Sequence, residues 1–359
     1  MPAPVGRDAA KTRAKLEDWF RAREPEAKSI ALEGLGGPEE TGFSSDTLMF
    51  DLVVEQGGGA TERRPVVVRL EPATPFPIFP EYDLGLQFHM MQTLESEAVP
   101  VPHMIAIEPD RGPLGAPFYV MERLEGRVPT DTPPYHMEGW IADLGAGDRA
   151  ALWFSALDAM AEVHKLDVED ARFDFLARPK AGQTAMQAQL AYWDHYLDWG
   201  MERARYPLLE RALAWLDANQ PADEPTGLCW GDSRISNQMF DGTHCIAVID
   251  WEMAFRGNPE ADLAWFINLD RCFTEGLGIE RLAGMPDRDT TVARWEERVG
   301  RAVEHYDYYE CFALFRFSAI MARVMLQLKH YEKLPEEVMA DRDNLASLVL
   351  ERVLNERGA

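Results

Sequence analysis

The stretch LCWGDSRISNQMFDGTHCIAVIDWEMA, residues 228–254, decides how this chain is read. It sets Asp232 behind a glycine, Asn237 five residues later, an Asp241-Gly242 pair, and Asp250 at the close of an apolar run. Asp-Gly between two apolar segments is a strong signal for a tight hairpin turn. The pattern therefore predicts a short strand over residues 238–240 and an apolar one over 245–249. Folding that hairpin back carries Asn237, just before the first strand, toward Asp250, just after the second. Asp232 stays on the irregular loop leading in.

An amide oxygen and a carboxylate held side by side are donors that hard Mg²⁺ accepts alongside phosphate oxygens. Asp232 is left to face a substrate hydroxyl. The order Asp, four residues, Asn, then an Asp ending a strand is the spacing of the protein-kinase phosphoryl-transfer template. Trp230-Gly231-Asp232 stands where H-R-D would, and Asp250-Trp251-Glu252 where D-F-G would. An ordinary hairpin with capping Asp and Asn residues matches single positions of that template. It has no need of all three.

The bulk numbers bound the reading. With 359 residues the chain exceeds the size at which one hydrophobic core stops growing, so two lobes are expected. Hydrophobic residues make up 46%, enough for large cores, and disorder is excluded. A formal net charge of −25 argues against nucleic acid as a partner, because binding there rests on neutralising phosphates. It is compatible with a cationic substrate and equally with a plain acidic surface. A screening length of roughly 8 Å lets a few close arginines serve a phosphate despite that surface. Cys229, Cys245, Cys272 and Cys311 form no CxxC pair, which fits a reducing cytoplasm and suggests neither zinc nor disulfides. The first 25 residues are charged and lack an apolar core, so no secretory signal is expected. The apolar segment near 308–328 carries Glu310, Arg316 and Arg323, and is read as a buried helix rather than a membrane span.

Along the chain, residues 8–23 have helical spacing through Leu16, Trp19 and Phe20. Strand patterns follow at SIALEGL, TLMFDLVV and RPVVVRLE, then a Pro-rich interruption, a helix from about Tyr82, and strands at HMIAIEPD and PFYVMERLEG. This order predicts a small antiparallel sheet carrying one helix. After Gly126 the pattern turns helical over 148–220 and again from about 259, where Asn258 is a candidate N-cap and Pro259 a first helical residue.

The block WGDSRISNQMFDGTHCIAVIDWEMAFRGNPEADLAW resembles the aminoglycoside phosphotransferase/choline kinase superfamily. It is similar above all to bacterial phosphotransferase-family members and to the kinase-like domain attached to some acyl-CoA dehydrogenases. The resemblance implies an α+β, protein-kinase-like bilobal fold. A small antiparallel β-sheet lobe with one helix would span residues 1–121, with a hinge at 122–126 and a larger, mainly helical lobe over 127–359. It implies that Asp232 orients or deprotonates the acceptor hydroxyl and that Asn237 and Asp250 hold Mg²⁺ bridging ATP phosphates. Arg234 matches a position near the transferred phosphate, and Asp262 an acid that braces the catalytic loop. Asp262 also reads simply as a first-turn helix acid.

On the nucleotide side, the turn Gly42–Thr47 stands where kinases place a glycine-rich loop. It lacks G-x-G-x-x-G, so Ser44 and Ser45 and nearby backbone N–H groups would cradle phosphate. Arg69 occupies the place of the strand-three lysine and its fork can grip phosphate. Gln87 stands where a Glu would pair with that basic residue, so hydrogen bonding rather than charge would hold Arg69. Met121 and Arg123 belong to the connector whose backbone would receive adenine. His164 resembles a family position but reads first as a structural helical histidine, and Trp193 and Trp199 could line a substrate pocket but at helical spacing read first as core.

The implied activity is ATP- and Mg-dependent phosphorylation of a hydroxyl on a small molecule, with neither nucleic acid nor membrane as partner. A hydroxyacyl-type acceptor and an aminoglycoside-like amine both remain open. For an anionic acceptor, Arg203 and Arg205 are candidates. The reading of another class is a nucleotide-binding pseudokinase that serves as an interaction module, motivated by the Arg69/Gln87 departure.

Overall fold

A computed structural model describes residues 8–37, 46–222 and 224–359. Their contacts divide into two compact units, one of residues up to 92 with 102–125, the other of 93–101 with 126–359. The division falls inside the expected connector. The assignment of 93–101 to the second unit is new: Pro100 accepts a hydrogen bond from Val248 N–H at 2.8 Å, and Glu97 pairs with Arg172.

In the first unit, α1 (Ala9–Arg23) precedes β1 (Ala27–Gly36), β2 (Asp46–Gln56) and β3 (Thr61–Leu70). Helix α2 (Leu84–Leu94), β4 (Met104–Glu108) and β5 (Phe118–Glu122) follow, giving a five-stranded sheet in the order β1-β2-β3-β5-β4. Every pairing is antiparallel. Alternation sorts the side chains: Phe50, Leu52 and Val54 on β2 and Val66, Val68 and Leu70 on β3 turn to one face. Leu16, Trp19 and Phe20 of α1 cover it. Burying each such side chain contributes about 1.5–3 kcal/mol. Asp8 caps α1 through Ala10 and Lys11 N–H, and Trp19 Nε1 donates to Glu108 at 2.8 Å, tying the helix to β4.

The other face carries the residues assigned to nucleotide. Arg69 and Tyr119 are cross-strand neighbours, and the Tyr119 hydroxyl donates to Gln87 Oε1 at 3.2 Å on α2. The oxygen expected to hold Arg69 is thus engaged by Tyr119, and Gln87 is fully buried. Met121 pairs with Val67 inside the ladder. The Arg123 N–H, expected to be available to adenine, instead donates to Pro65 at 3.0 Å, because the sheet continues one residue past β5. The Arg123 guanidinium bonds Asp51 at 2.6 Å. Ser44 and Ser45 lie outside the described residues.

In the second unit, α3 (Ala146–Val163), α4 (Ala185–Gly200) and α5 (Pro207–Ala218) come first. Strands β6 (Gly227–Cys229), β7 (Gln238–Asp241), β8 (His244–Val248) and β9 (Phe255–Gly257) then interrupt, before α6 (Glu260–Cys272), α7 (Arg288–Val299), α8 (Tyr306–His330) and α9 (Leu345–Glu356). Helix α8 is long and apolar enough to cross a membrane by length and composition, yet it is mostly buried and packs against α6 and α9. Glu310, Arg316 and Arg323 are buried along it. The predicted hairpin is present as β7–β8, with Gly242 at φ +58° in its turn. Helix α6 begins one residue later than expected, so Pro259 rather than Asn258 is its N-cap, although Asn258 Oδ1 still accepts the Glu260 N–H at 3.1 Å.

Leu16→Ala should cost the first unit about 2–5 kcal/mol, the range for emptying a fully buried leucine site. Hydrogen exchange should show protection falling in β2 and β3 while α6 and α8 keep theirs. Equal loss in both units would contradict the division.

Candidate active site

The loop carrying Asp232 is fastened at both ends. Strands β6 and β9 pair antiparallel, with Cys229 opposite Phe255, so residues 230–254 form a closed excursion. Within it, β7–β8 is bolted to α3: Gln238 Nε2 donates to the Ala156 carbonyl at 2.9 Å, and Cys245 N–H donates to Ser155 Oγ at 2.8 Å. The hairpin register sets Gln238 opposite Val248, and Ile249 N–H donates to the Asn237 carbonyl at 3.0 Å. Asn237 and Asp250 are thereby brought together, as the turn signal predicted.

Asp262 braces the loop. Its two oxygens accept the Trp230 N–H at 2.6 Å and the Gly231 N–H at 2.9 Å, and its carbonyl accepts the Ser233 hydroxyl at 2.8 Å. His164 Nε2 lies 3.0 Å from the same carboxylate. Trp295 Nε1 donates to His164 Nδ1 at 2.8 Å, so the Nε2 proton faces Asp262. Gly231 adopts φ +93°, and a Cβ there would stand 1.9 Å from the Met253 carbonyl oxygen. No other residue type fits that approach.

Asp232 is buried, and each of its oxygens has a donor. Trp265 Nε1 reaches Oδ1 at 2.9 Å, and Asn237 Nδ2 reaches Oδ2 at 2.8 Å. Burial is the largest influence on this carboxyl and raises its pKa above the ordinary value. Arg234 works against the rise, and the Asp250 charge adds to it. Arg234 is no plain surface residue: its Nη1 donates to Asp131 at 2.7 Å and its Nε lies 3.2 Å from Asp232 Oδ2. Burial opposes its charge, but Asp232, Asp131 and Asp250 outweigh burial and hold its pKa above the usual guanidinium value. Ser236 Oγ also donates to Asp131, at 3.0 Å.

The oxygens suit a hard divalent ion. Because Asn237 Nδ2 is committed to the Asp232 side chain and carbonyl, the amide is left with Oδ1, an acceptor only. The Asp250 charge adds to the cost of ionising Asp232, which a cation beside them would relieve. Asp250 itself has φ +62°, a conformation Asp tolerates better than most residues. Trp230 Nε1 secures that turn by donating to the carbonyls of Ile249 at 3.1 Å and Asp250 at 3.2 Å. Among the described residues no three His, Cys, Asp or Glu side chains gather as a metal cage. A sparse Asn–Asp pair is what Mg²⁺ uses when phosphate and water complete its shell.

A small recess with room for about one water molecule adjoins Arg234, Ser236 and Asp131 and is walled by Tyr135, Asp270 and the apolar Trp153 and Phe266. Asp270 is engaged by the Tyr135 hydroxyl at 2.6 Å, His136 at 2.8 Å and Arg281 at 2.6 Å. Burial pushes its pKa up, but these three donors outweigh it and hold the carboxyl below the ordinary value. Arg203 does not serve as an anion site, for Asp194, Asp198 and Glu210 surround it at 2.6–3.0 Å. Trp193 is core. Sequence reasoning missed Trp265, and also the bonds that Asp131 and the Trp230 indole make. For Trp265 the signal existed: it follows Asp262 by three residues on α6, hence on the same helical face.

The fold and this site define a kinase-like phosphotransferase architecture. The chain matches the phosphotransferase enzyme family over residues 56–314, well over half its length, and belongs to that family. It is 26% identical to mouse acyl-CoA dehydrogenase family member 10 over 66% of this chain and 22% of that protein. With mouse acyl-CoA dehydrogenase family member 11 it shares 26% identity over 78% of this chain and 37% of that protein. The chain thus spans about a fifth to a third of these relatives. A Ralstonia eutropha protein provisionally designated an aminoglycoside phosphotransferase superposes with a TM-score of 0.67 at 22% identity, covering 95% of this chain and 98% of that one. Aminoglycoside phosphotransferase APH(4)-Ia superposes at 0.59 with 16% identity over 96% and 99%.

Asp262→Asn turns one acceptor oxygen into a donor facing the N–H groups of the loop. It should cost about 1–3 kcal/mol of stability, the penalty for stranding buried polar groups. Urea unfolding measures it, and an unchanged midpoint would remove Asp262 from the bracing role.

Proposed function

We propose that this chain is an ATP- and Mg²⁺-dependent kinase that phosphorylates a hydroxyl of a small, partly apolar molecule of hydroxyacyl type. The observation that carries the reading is the convergence of Asp232, Asn237 and Asp250 around one braced loop. A scaffold protein has no physical need for that arrangement, which weighs against a pseudokinase. A solved APH(4)-Ia complex holds ADP and hygromycin B, so its fold accommodates a nucleotide and a hydroxylated acceptor together.

In this reading Asp232 receives the acceptor hydroxyl and takes up its proton as the oxygen attacks the terminal phosphate of ATP, whose bond to the bridging oxygen breaks so that ADP leaves. Trp265 and Asn237 keep the carboxylate aimed, so catalysis is mainly positioning. Arg234 supplies positive charge beside the transferred group. Asn237 and Asp250 would hold Mg²⁺, which when bound neutralises charge on the phosphates. Arg69, on β3, is assigned to nucleotide phosphate by its strand position.

The acceptor class follows from which acids remain available. A polyamine wants several converging carboxylates, since each exposed pair contributes only about 0.2–1 kcal/mol. Here Asp131 is engaged by Arg234 and Ser236, and Asp270 by three donors. The remaining wall is largely aromatic, which suits an alcohol with an apolar body.

Three measurements bear on this. Asp232→Ala should lower kcat by at least ~10²-fold, the scale of a positioned acid–base group, with ATP affinity by calorimetry little changed. Collapse of ATP affinity with normal residual turnover would make Asp232 a nucleotide ligand instead. Asp250→Asn should abolish Mg-ATP turnover in a folded protein, and near-normal kcat at saturating Mg²⁺ would rule out its metal role. Kanamycin turned over with kcat/KM above ~10⁴ M⁻¹s⁻¹, the low end for a physiological substrate, would favour an antibiotic kinase over a hydroxyacyl one.

A further inference from the structure

Arg316 has no role in the chemistry described so far, yet it sits at the centre of the second unit, 1% exposed. Its guanidinium carbon lies 4.5 Å from the ring centre of Trp265, 5.2 Å from Phe312, 5.4 Å from Trp193 and 5.5 Å from Phe255. Its Nη2 donates to the Gly231 carbonyl at 2.8 Å. Nε and Nη1 have no hydrogen-bond partner among the described residues. Burial lowers its pKa to about 10, against the opposing pull of Asp262 and Asp232, so it remains a cation at neutral pH.

Such a group is costly. Replacing a buried charge by an apolar side chain of similar volume is often neutral or stabilising, and four aromatic rings would pack well on a methionine. Packing alone therefore does not account for an arginine here. The Gly231 carbonyl does. Gly231 adopts φ +93° close against the Met253 backbone, and its carbonyl oxygen belongs to the same planar peptide unit as the Asp232 N–H. Holding that oxygen fixes the plane from which Asp232 departs. The other arm reaches the carboxylate, because the indole on which the guanidinium rests is the one donating to Asp232 Oδ1.

We propose that Arg316 is a positioning residue for phosphoryl transfer, orienting Asp232 through the Gly231 carbonyl and the Trp265 indole. The proposal rests on the reading of Asp232 as the residue that meets the acceptor. It differs from the Asp262 brace in acting from α8, on the carbonyl side of the loop, where Asp262 acts from α6 on the N–H side.

The test uses the full chain with Mg-ATP, water as the acceptor, and three readouts: kcat for ATP hydrolysis, calorimetric affinity for ATP, and the thermal midpoint. Arg316→Met keeps volume and removes the donor. It should lower kcat by ~10–10²-fold, the scale expected when a reacting group is misplaced by about an ångström, with ATP affinity kept within ~3-fold. Arg316→Lys keeps a donor that reaches almost as far as the guanidinium and should recover kcat to within ~3-fold of the unaltered chain, since one hydrogen bond to Gly231 is what it must replace. A purely structural role would move the thermal midpoint and leave kcat of the folded fraction untouched. That result, or a Lys variant no better than Met, overturns the proposal. Should Arg316→Met fail to fold, a folded Arg316→Lys with kcat reduced as far as in Asp232→Ala overturns it equally. An unaltered chain without ATP turnover would sink the phosphotransfer reading and this inference with it, whereas turnover insensitive to Arg316→Met sinks this inference alone.

Discussion

The structure of the second unit depends on one carboxylate. Asp262 is fully buried at the start of α6 and takes the backbone N–H groups of Trp230 and Gly231, with His164 holding it from α3. A buried acid is tolerated only when its oxygens are filled, and these are filled by the loop that carries Asp232. The helix N-terminus adds a favourable field for the charge. Helix, loop and α3 are therefore mutually dependent: none can move without stranding a buried charge or a buried N–H group.

The remaining fastenings act on different parts of the same excursion. The β6–β9 pairing closes it, α3 grips the hairpin, and the Trp230 indole secures the turn at Asp250. Most of these bonds end on backbone atoms rather than on other side chains. That choice orients peptide groups directly, which is what a site working by positioning requires. Among the described residues, five of the six fully buried tryptophans serve packing and hydrogen bonding at once. Trp153, Trp230, Trp251, Trp265 and Trp295 each donate an indole N–H to a named partner.

Charge is handled locally. The chain carries 61 acids against 36 lysines and arginines, yet the cations that matter are placed singly. Arg234 stands between Asp131 and Asp232, where four acids sustain its charge, and Arg316 lies behind the loop among aromatic faces. At a screening length of roughly 8 Å the distant acidic surface has little influence on either.

Local rules made much of this legible. Period-two alternation marked the strands of the first unit, helical spacing marked α1, and Asp241-Gly242 marked the hairpin that joins Asn237 to Asp250. These depend on neighbours in sequence, so one chain suffices to read them. What tertiary structure alone decided are partnerships between distant elements. Asp131 meets Arg234 from 103 residues away, Arg316 meets Gly231 from 85, and the Gln87 oxygen receives the Tyr119 hydroxyl from 32. The Arg123 N–H is taken by Pro65 because the pairing of β3 with β5 continues one residue past Glu122. Side-chain type tells what a residue can bond. Which partner it receives is settled by how helices and strands pack, because a buried donor must take whatever acceptor the packing brings within reach.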